Sequence, residues 1–205
     1  MIKVAVTGVL GSGKSTLAKI LKDFGLPVLD ADELSRNLVL KGSEVYNKII
    51  KIFGNEILDS DGQIDRKALA KIVFNDKEKR LILESLIHPE VKKSFEYKTK
   101  ELKEKGENMV VLDIPLLFEA KMEDVVDVVI LAYAGKDTIF DRVRKRDNMS
   151  EEEIMLRLEN QISLEEKVKK SHYVVNTEKS IEDLKSELHK IISEIRNNIF
   201  SSHPY

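Results

Sequence analysis

The chain contains no cysteine, which excludes disulfides, thiolate zinc sites and cysteine nucleophiles outright. Histidine is nearly as scarce, and His88, His172, His189 and His203 are too scattered to suggest a metal centre. An excess of one charge is also missing. A net charge of −2 gives no basis for a general binder of nucleic acid or of anionic membranes. No apolar run approaches the length needed to span a bilayer, so no membrane partner is expected. The first strand begins at residue 2 with no signal peptide before it, and a cytoplasmic protein is the expectation. Internal repeats and low-complexity linkers are absent, which points to one domain over residues 1–205. The guanine-reading NKxD element and the DxxG switch are both missing. Asn47-Lys48 continues as Ile49-Ile50 and Asp113 as Ile114-Pro115-Leu116, which excludes a regulatory GTPase. An LSGGQ-like signature is missing too, which excludes a transporter-type ATPase.

What is present begins with Ile2 to Thr16, IKVAVTGVLGSGKST, a buried-strand pattern that passes through a glycine-rich turn into a helix start. Gly8, Gly13, Lys14 and Ser15 fill the fixed positions of G-x-x-x-x-G-K-[ST], with Gly11 and Ser12 inside the turn and Thr16 just after it. Glycine takes positive φ and carries no Cβ, so backbone N–H groups can converge on a phosphate. A helix N-terminus adds partial positive charge. Lys14 is expected to neutralise the β- and γ-phosphates of ATP, and the Ser15 hydroxyl to ligate Mg²⁺.

Downstream, Leu17, Ile20, Leu21 and Phe24 repeat at helical spacing, and Gly25 ends that helix. Pro27-Val28-Leu29 reads as a short strand that delivers Asp30-Ala31-Asp32 to the sheet's carboxyl edge. Strand alternation would put Asp30 and Asp32 on one side. Asp32 is favoured over Asp30 for a catalytic or Mg²⁺-linked role, the alternative being that Asp30 or Asp32 caps the helix carrying Leu34, Arg36 and Leu38, where Arg36 faces the same cleft or is a solvated surface charge. From about residue 33 to 105 the pattern is helical and charged, an insertion on the substrate side. Its apolar faces are Val45, Ile49, Ile52 and Phe53; Leu69, Ile72, Val73 and Phe74; and Leu81, Leu83, Leu86 and Ile87. The turn Asp59-Ser60-Asp61-Gly62 lacks the spacing of a calcium loop. His88-Pro89 reads as a helix start, with Pro89 at its first position, and His88 either supports that start or touches substrate.

Met109 to Asp113 is a fully apolar strand ended by a carboxylate, which either holds a Mg²⁺-bound water beside the phosphate loop or caps a following helix. Val126 to Tyr133 and Tyr173 to Val175 supply two more strands. The alternation specifies a doubly wound, three-layer α/β/α fold with a five-stranded parallel sheet. A basic helix from Thr138 to Arg146 carries Arg142, Arg144 and Arg146, and Arg142 and Arg146 share a face. They read as a lid, spanning about residues 138–165, that stabilises a transferring phosphoryl group, against a solvated face neutralised by Asp137, Asp141 and Asp147. Ser150-x-x-Glu153 and Ser163-x-x-Glu166 read as capping boxes, and Ile181 to about Ile199 as an amphipathic final helix before a frayed tail, Ser201 to Tyr205.

Taken in order, TGVLGSGKST, VLDADELSR, FGNEILDSDGQIDR, IHP, LDIPLLFE, RVRKRDNMSEEE and VVNT resemble the dephospho-CoA kinase family over nearly the whole chain. The resemblance implies the P-loop kinase fold and transfer of the ATP γ-phosphoryl group to the ribose 3′-hydroxyl of dephospho-CoA, by a monomer or small homo-oligomer. It implies Asp32 as general base, Arg142 and Arg146 in the lid, and Asn176 near adenine. It also implies Arg36, His88, Leu116 and Glu119 on the acceptor side, and Ser15 with Asp113 at the metal. One departure is Val9, where the family usually has a second glycine; a β-branched residue there demands negative φ. Within kinases the rival is a nucleoside or nucleotide kinase of similar fold, and a non-catalytic nucleotide-binding module is not excluded by the loop alone.

Overall fold

In the computed structural model, which describes residues 1–201 and the side chains of residues 1–197, β1 (Ile2–Gly8) is the central strand of an all-parallel five-stranded sheet. The strand order is β2 (Val28–Asp30), β3 (Met109–Asp113), β1, β4 (Val128–Tyr133), β5 (Tyr173–Asn176). Residues Ser202 to Tyr205 of the expected tail lie outside the described residues. The register sets Val6 beside Asp113 and Gly8 beside Ala132, so the carboxyl end of β1 lies between the ends of β3 and β4. Nearly every residue of the three central strands is buried, which is why they read as continuous apolar runs.

Two compact units make up the chain, Met1–Leu29 with Glu107–Tyr205, and Asp30–Gly106. In the first, α1 (Lys14–Asp23) and α9 (Ile181–Ser201) pack together over one face of the sheet. Leu17, Ile20 and Leu21 meet Leu184, Leu188, Ile191, Ile192 and Ile195 above Val4, Val6, Val111 and Ile130. Each such side chain contributes roughly 1.5–3 kcal/mol on burial. Ile181, expected on this face, is exposed. Three further helices, α6 (Lys136–Asp147), α7 (Glu151–Glu159) and α8 (Leu164–Lys170), lie between β4 and β5. Ser150 and Glu153 form the complete reciprocal capping box at the start of α7, while Ser163 caps α8 by accepting from Glu166 N.

The second unit is helical: α2 (Ala31–Leu38), α3 (Glu44–Phe53), α4 (Arg66–Asn75) and α5 (Lys77–Glu104), the first three each packed on α5. Its core is Val45, Tyr46, Ile49, Phe53, Ile57, Ile64 and Leu69, flanked by Leu83, Leu86 and Ile87. Ile52, Phe74 and Leu81, expected in these apolar faces, are exposed instead. The Asp59 carboxylate shapes the turn before α4, accepting from Asp61 N at 3.0 Å and Gln63 N at 2.9 Å.

His88-Pro89 does not start a helix, because α5 runs through it from Lys77 to Glu104. An interior proline withdraws one backbone hydrogen bond and costs about 3 kcal/mol. Apolar burial on both sides offsets this, with Leu83, Leu86 and Ile87 before it and Val91 and Phe95, both nearly inaccessible, after it.

Candidate active site

The loop from Gly8 to Ser15 joins β1 to α1, and α1 begins at Lys14 with Gly13 in the left-handed region (φ 87°) and no side-chain cap. The donors that a capping side chain would occupy are thereby left to a ligand. Ser12 is buried and its Oγ has no hydrogen-bond partner, an orphaned donor inside the turn. Gly11, at φ 76°, sits so close to α6 that a Cβ would meet Val143 at 2.7 Å and the Ile139 carbonyl at 3.0 Å. Val9 is not among the residues with positive φ and is buried against Ala134, Ile139, Val143, Met149 and Ile154. The residue that departs from the familial glycine therefore fixes the loop by packing, with ordinary backbone geometry.

Lys14 reaches across β1 to Asp113 at the end of β3 and forms a hydrogen-bonded ion pair with it, the carboxylate being almost fully buried. No helix follows Asp113. Residues 115–121 form successive turns, with Ala120 N donating to Leu116 O and Met122 N to Leu117 O, so the helix-cap alternative for Asp113 does not hold. The Ser15 hydroxyl is exposed in the first turn of α1 and Thr16 is half-buried. Ser15 and Asp113 are hard oxygen donors suited to Mg²⁺, which takes one or two protein ligands with phosphate oxygens and water.

The three arginines of α6 are held in different ways. Arg144 pairs with Glu151, and Arg146 grips Asp147 through Nε and Nη2 at 2.8 and 2.7 Å. The hydrogen bonds from Arg146 hold the Asp147 carboxyl below its ordinary range, as expected of the solvated-face alternative. Arg142 is half-buried and bonds only neutral acceptors, Nη1 to Thr177 Oγ1 at 2.8 Å and Nη2 to Thr177 O at 2.8 Å, with Gly11 O at 3.5 Å. Among the described residues it alone of the three has no carboxylate hydrogen-bonded to its guanidinium, although the Glu178 carboxylate is near enough to interact with it through space. Asn176, the last residue of β5, accepts from Glu178 N at 2.9 Å and so shapes the turn that carries Thr177. Glu178 accepts from Thr138 Oγ1 and Gly135 N, which lowers its carboxyl from the ordinary value.

In the second unit Asp30 is the cap of α2, accepting from Asp32 N at 2.7 Å and Glu33 N at 3.2 Å. Strand alternation stops at Ala31, where the helix starts, so the expectation that Asp30 and Asp32 share one side of a strand does not hold. Asp32 sits in the first turn of α2, its carboxylate exposed and free of the capping task. Arg36 lies exposed in the last turn of the same helix. His88 is half-buried on α5; burial pushes its imidazole below the usual histidine range, with the Glu84 carboxylate acting in the opposite sense.

Two further side chains organise the first unit and escaped sequence reasoning. Gln161 accepts from Leu10 N of the phosphate loop at 3.2 Å. Lys167, fully buried in α8, lies 2.7 Å from Glu119, which also accepts from Ile162 N at 2.9 Å. The approach lacks hydrogen-bond alignment, and Glu119 Oε2 and Lys167 Nζ stay buried without a hydrogen bond. Phe118 lies under both Lys167 and Lys170, 5.9 and 5.5 Å from its ring centre. The available signal was that Lys167 follows the half-buried Leu164 by three residues and shares its helix face. Leu116, in the same loop as Glu119, is exposed.

Lys167→Met is expected to lower stability by about 3–5 kcal/mol, because it strands the Glu119 carboxylate in a low-dielectric site. Lys167→Met with Glu119→Leu removes both charges and should regain most of that loss. Urea unfolding of the two variants measures this, and a single variant within about 0.5 kcal/mol of wild type would show the pair to be energetically silent.

The family model for dephospho-CoA kinase matches residues 2–183. A dephospho-CoA kinase from Carboxydothermus hydrogenoformans is 42% identical over 191 residues, covering 93% of each chain. The crystal structure of a Thermus thermophilus protein superposes with a TM-score of 0.81 at 35% identity, covering 94% of this chain and 97% of that one. The dephospho-CoA kinase from Campylobacter jejuni gives 0.70 at 31% identity, covering 96% and 98%. The phosphate loop, the carboxylate ending β3 and the arginine helix all lie within the matched residues 2–183, and on that match and these identities the chain belongs to the dephospho-CoA kinase family.

Proposed function

We propose that this chain transfers the γ-phosphoryl group of ATP to the 3′-hydroxyl of the dephospho-CoA ribose, giving CoA and ADP, the last step of coenzyme A biosynthesis. The observation that carries the reading is the uncapped phosphate loop with Lys14 held on Asp113, in a chain that belongs to this family. The exposed Asp32 carboxylate takes the hydroxyl proton as the oxygen attacks the γ-phosphorus and the bond to the β–γ bridging oxygen breaks. Lys14 and Arg142 carry the positive charge that meets the transferring group, with Arg146 at the exposed end of the same helix. Gly8, Gly11, Ser12, Gly13 and Thr16 supply the loop, and Asn176 the edge near adenine. Ser15 and Asp113 would hold Mg²⁺, which neutralises phosphate charge when bound.

Arg36, His88 and Leu116 are assigned to the acceptor. Glu119, expected to touch the acceptor, is engaged by Lys167 and the Ile162 N–H, so its part is to hold the loop that carries Leu116. The reading includes action as a monomer or small homo-oligomer in the cytoplasm. The test is a coupled assay of ADP release, presenting ATP with dephospho-CoA, AMP, CMP and adenosine side by side. Dephospho-CoA alone is expected to support turnover, and a faster rate with CMP, AMP or adenosine would replace this reading with a nucleotide or nucleoside kinase.

A further inference from the structure

Arg142 and the phosphate loop meet at one side chain that motif analysis leaves without a task. Thr177 directly follows β5 and is buried, its N–H donating to Tyr133 O at 2.8 Å. Its hydroxyl lies 2.7 Å from Ser12 O and 2.8 Å from Arg142 Nη1. A threonine hydroxyl has one proton to give and lone pairs to receive. It donates to the loop carbonyl and accepts from the guanidinium, so both capacities are used at once. The Tyr133 carbonyl, 3.1 Å away, already receives the Thr177 N–H.

The contact with the loop is steric as well. A Cβ built on Gly13 would fall 2.6 Å from Thr177 Oγ1 and 2.8 Å from its Cβ, so Thr177 packs directly against the residue that precedes Lys14. Arg142 is gripped twice by the same residue, through the hydroxyl and through the Thr177 carbonyl at 2.8 Å. Planar guanidinium geometry fits such a fork, and lysine would not.

We propose that Thr177 is a positioning residue that locks Ser12 and Gly13 of the phosphate loop and the guanidinium of Arg142 into one unit, setting the geometry of two groups that act on the nucleotide phosphates. It acts through Ser12, Gly13 and Arg142. It holds the Ser12 carbonyl on its hydroxyl and keeps two nitrogens of Arg142 on neutral acceptors, which leaves the guanidinium charge beside the loop available to a phosphate. Carboxylate partners such as those of Arg144 and Arg146 would compete for that charge.

The inference rests on the kinase reading, and the experiment separates the two. Thr177→Val keeps shape and removes the hydroxyl, Thr177→Ser keeps the hydroxyl, and Thr177→Ala serves as a second deletion should valine disturb folding. The valine or alanine variant is expected to lower kcat/KM for ATP about 10- to 100-fold, since small displacements at a phosphoryl-transfer site have effects of that order. KM for dephospho-CoA should stay within about twofold and serine should recover kcat/KM to within about threefold of wild type, the split expected when only nucleotide-side geometry is altered. In an Arg142→Ala background, Thr177→Val should add little, because the two act as one unit. Affinity for a fluorescent ATP analogue, measured without acceptor, reports on the loop even if wild type proves inactive on dephospho-CoA, which would overturn the kinase reading alone. Unchanged kcat/KM and nucleotide affinity in Thr177→Val, serine no better than valine, or effects that multiply fully with Arg142→Ala would each overturn the proposal.

Discussion

Asp32→Asn is expected to fold normally, bind both substrates and lose about 10²- to 10⁴-fold in turnover, the usual contribution of a positioned general base. The amide is nearly isosteric with the carboxylate but cannot accept the hydroxyl proton. The structure separates this outcome from a structural one, because capping of α2 belongs to Asp30. Asp32 sits in the first turn of the helix, where loss of a negative charge from the N-terminus costs about 0.3–1 kcal/mol. A small change in melting temperature alongside a large fall in kcat is therefore the signature of a catalytic Asp32. Asp30→Ala should give the reverse pattern at first, a stability loss of about 0.5–2 kcal/mol from the lost cap. Wild-type turnover of Asp32→Asn at saturating ATP and dephospho-CoA would remove it from the mechanism.

The assignment at Asp32 also shows where sequence reasoning reaches its limit. The phosphate loop and β3 were legible because each is specified locally: a spaced glycine motif between a strand and a helix, and an apolar run closed by one aspartate. The expectation that Asp30 and Asp32 share one side fails because the two-residue alternation of the strand ends at Asp30, and the helix that follows depends for its start on Asp30 itself. Pro89 departs from expectation for a related reason. The first-turn preference of proline is a local rule, and in α5 the apolar burial on both sides outweighs it.

Thr177 and Lys167 were illegible for a different reason. A threonine after a strand and a lysine in a charged helix are ordinary until the fold brings Ser12 to one and Glu119 to the other, partners distant in the chain. Arg142 and Arg146 show the same limit from the other side: helical spacing gives them a common face, while the difference between a guanidinium on neutral acceptors and one gripped by Asp147 depends on tertiary contacts.

Lys14→Met is expected to lower kcat by at least about 10²- to 10³-fold, the scale seen when one preorganised stabiliser of transition-state charge is removed. Methionine keeps much of the length of the lysine stem, so packing in the loop is preserved and the change is chiefly electrostatic. The ammonium lies on the buried Asp113 carboxylate and is itself half-buried. In the proposed function the same charge would meet the β- and γ-phosphates, and Asp113 with Ser15 would hold Mg²⁺. The variant should therefore also weaken ATP binding, while dephospho-CoA affinity, measured in the absence of ATP, stays near that of wild type. Lys14→Arg should not restore turnover, because the planar fork cannot occupy the compact ammonium position between carboxylate and phosphates. A loop that merely turns the chain between β1 and α1 would tolerate either substitution, so near-normal kcat and ATP affinity in Lys14→Met would end the phosphate-loop assignment on which the rest of the mechanism stands.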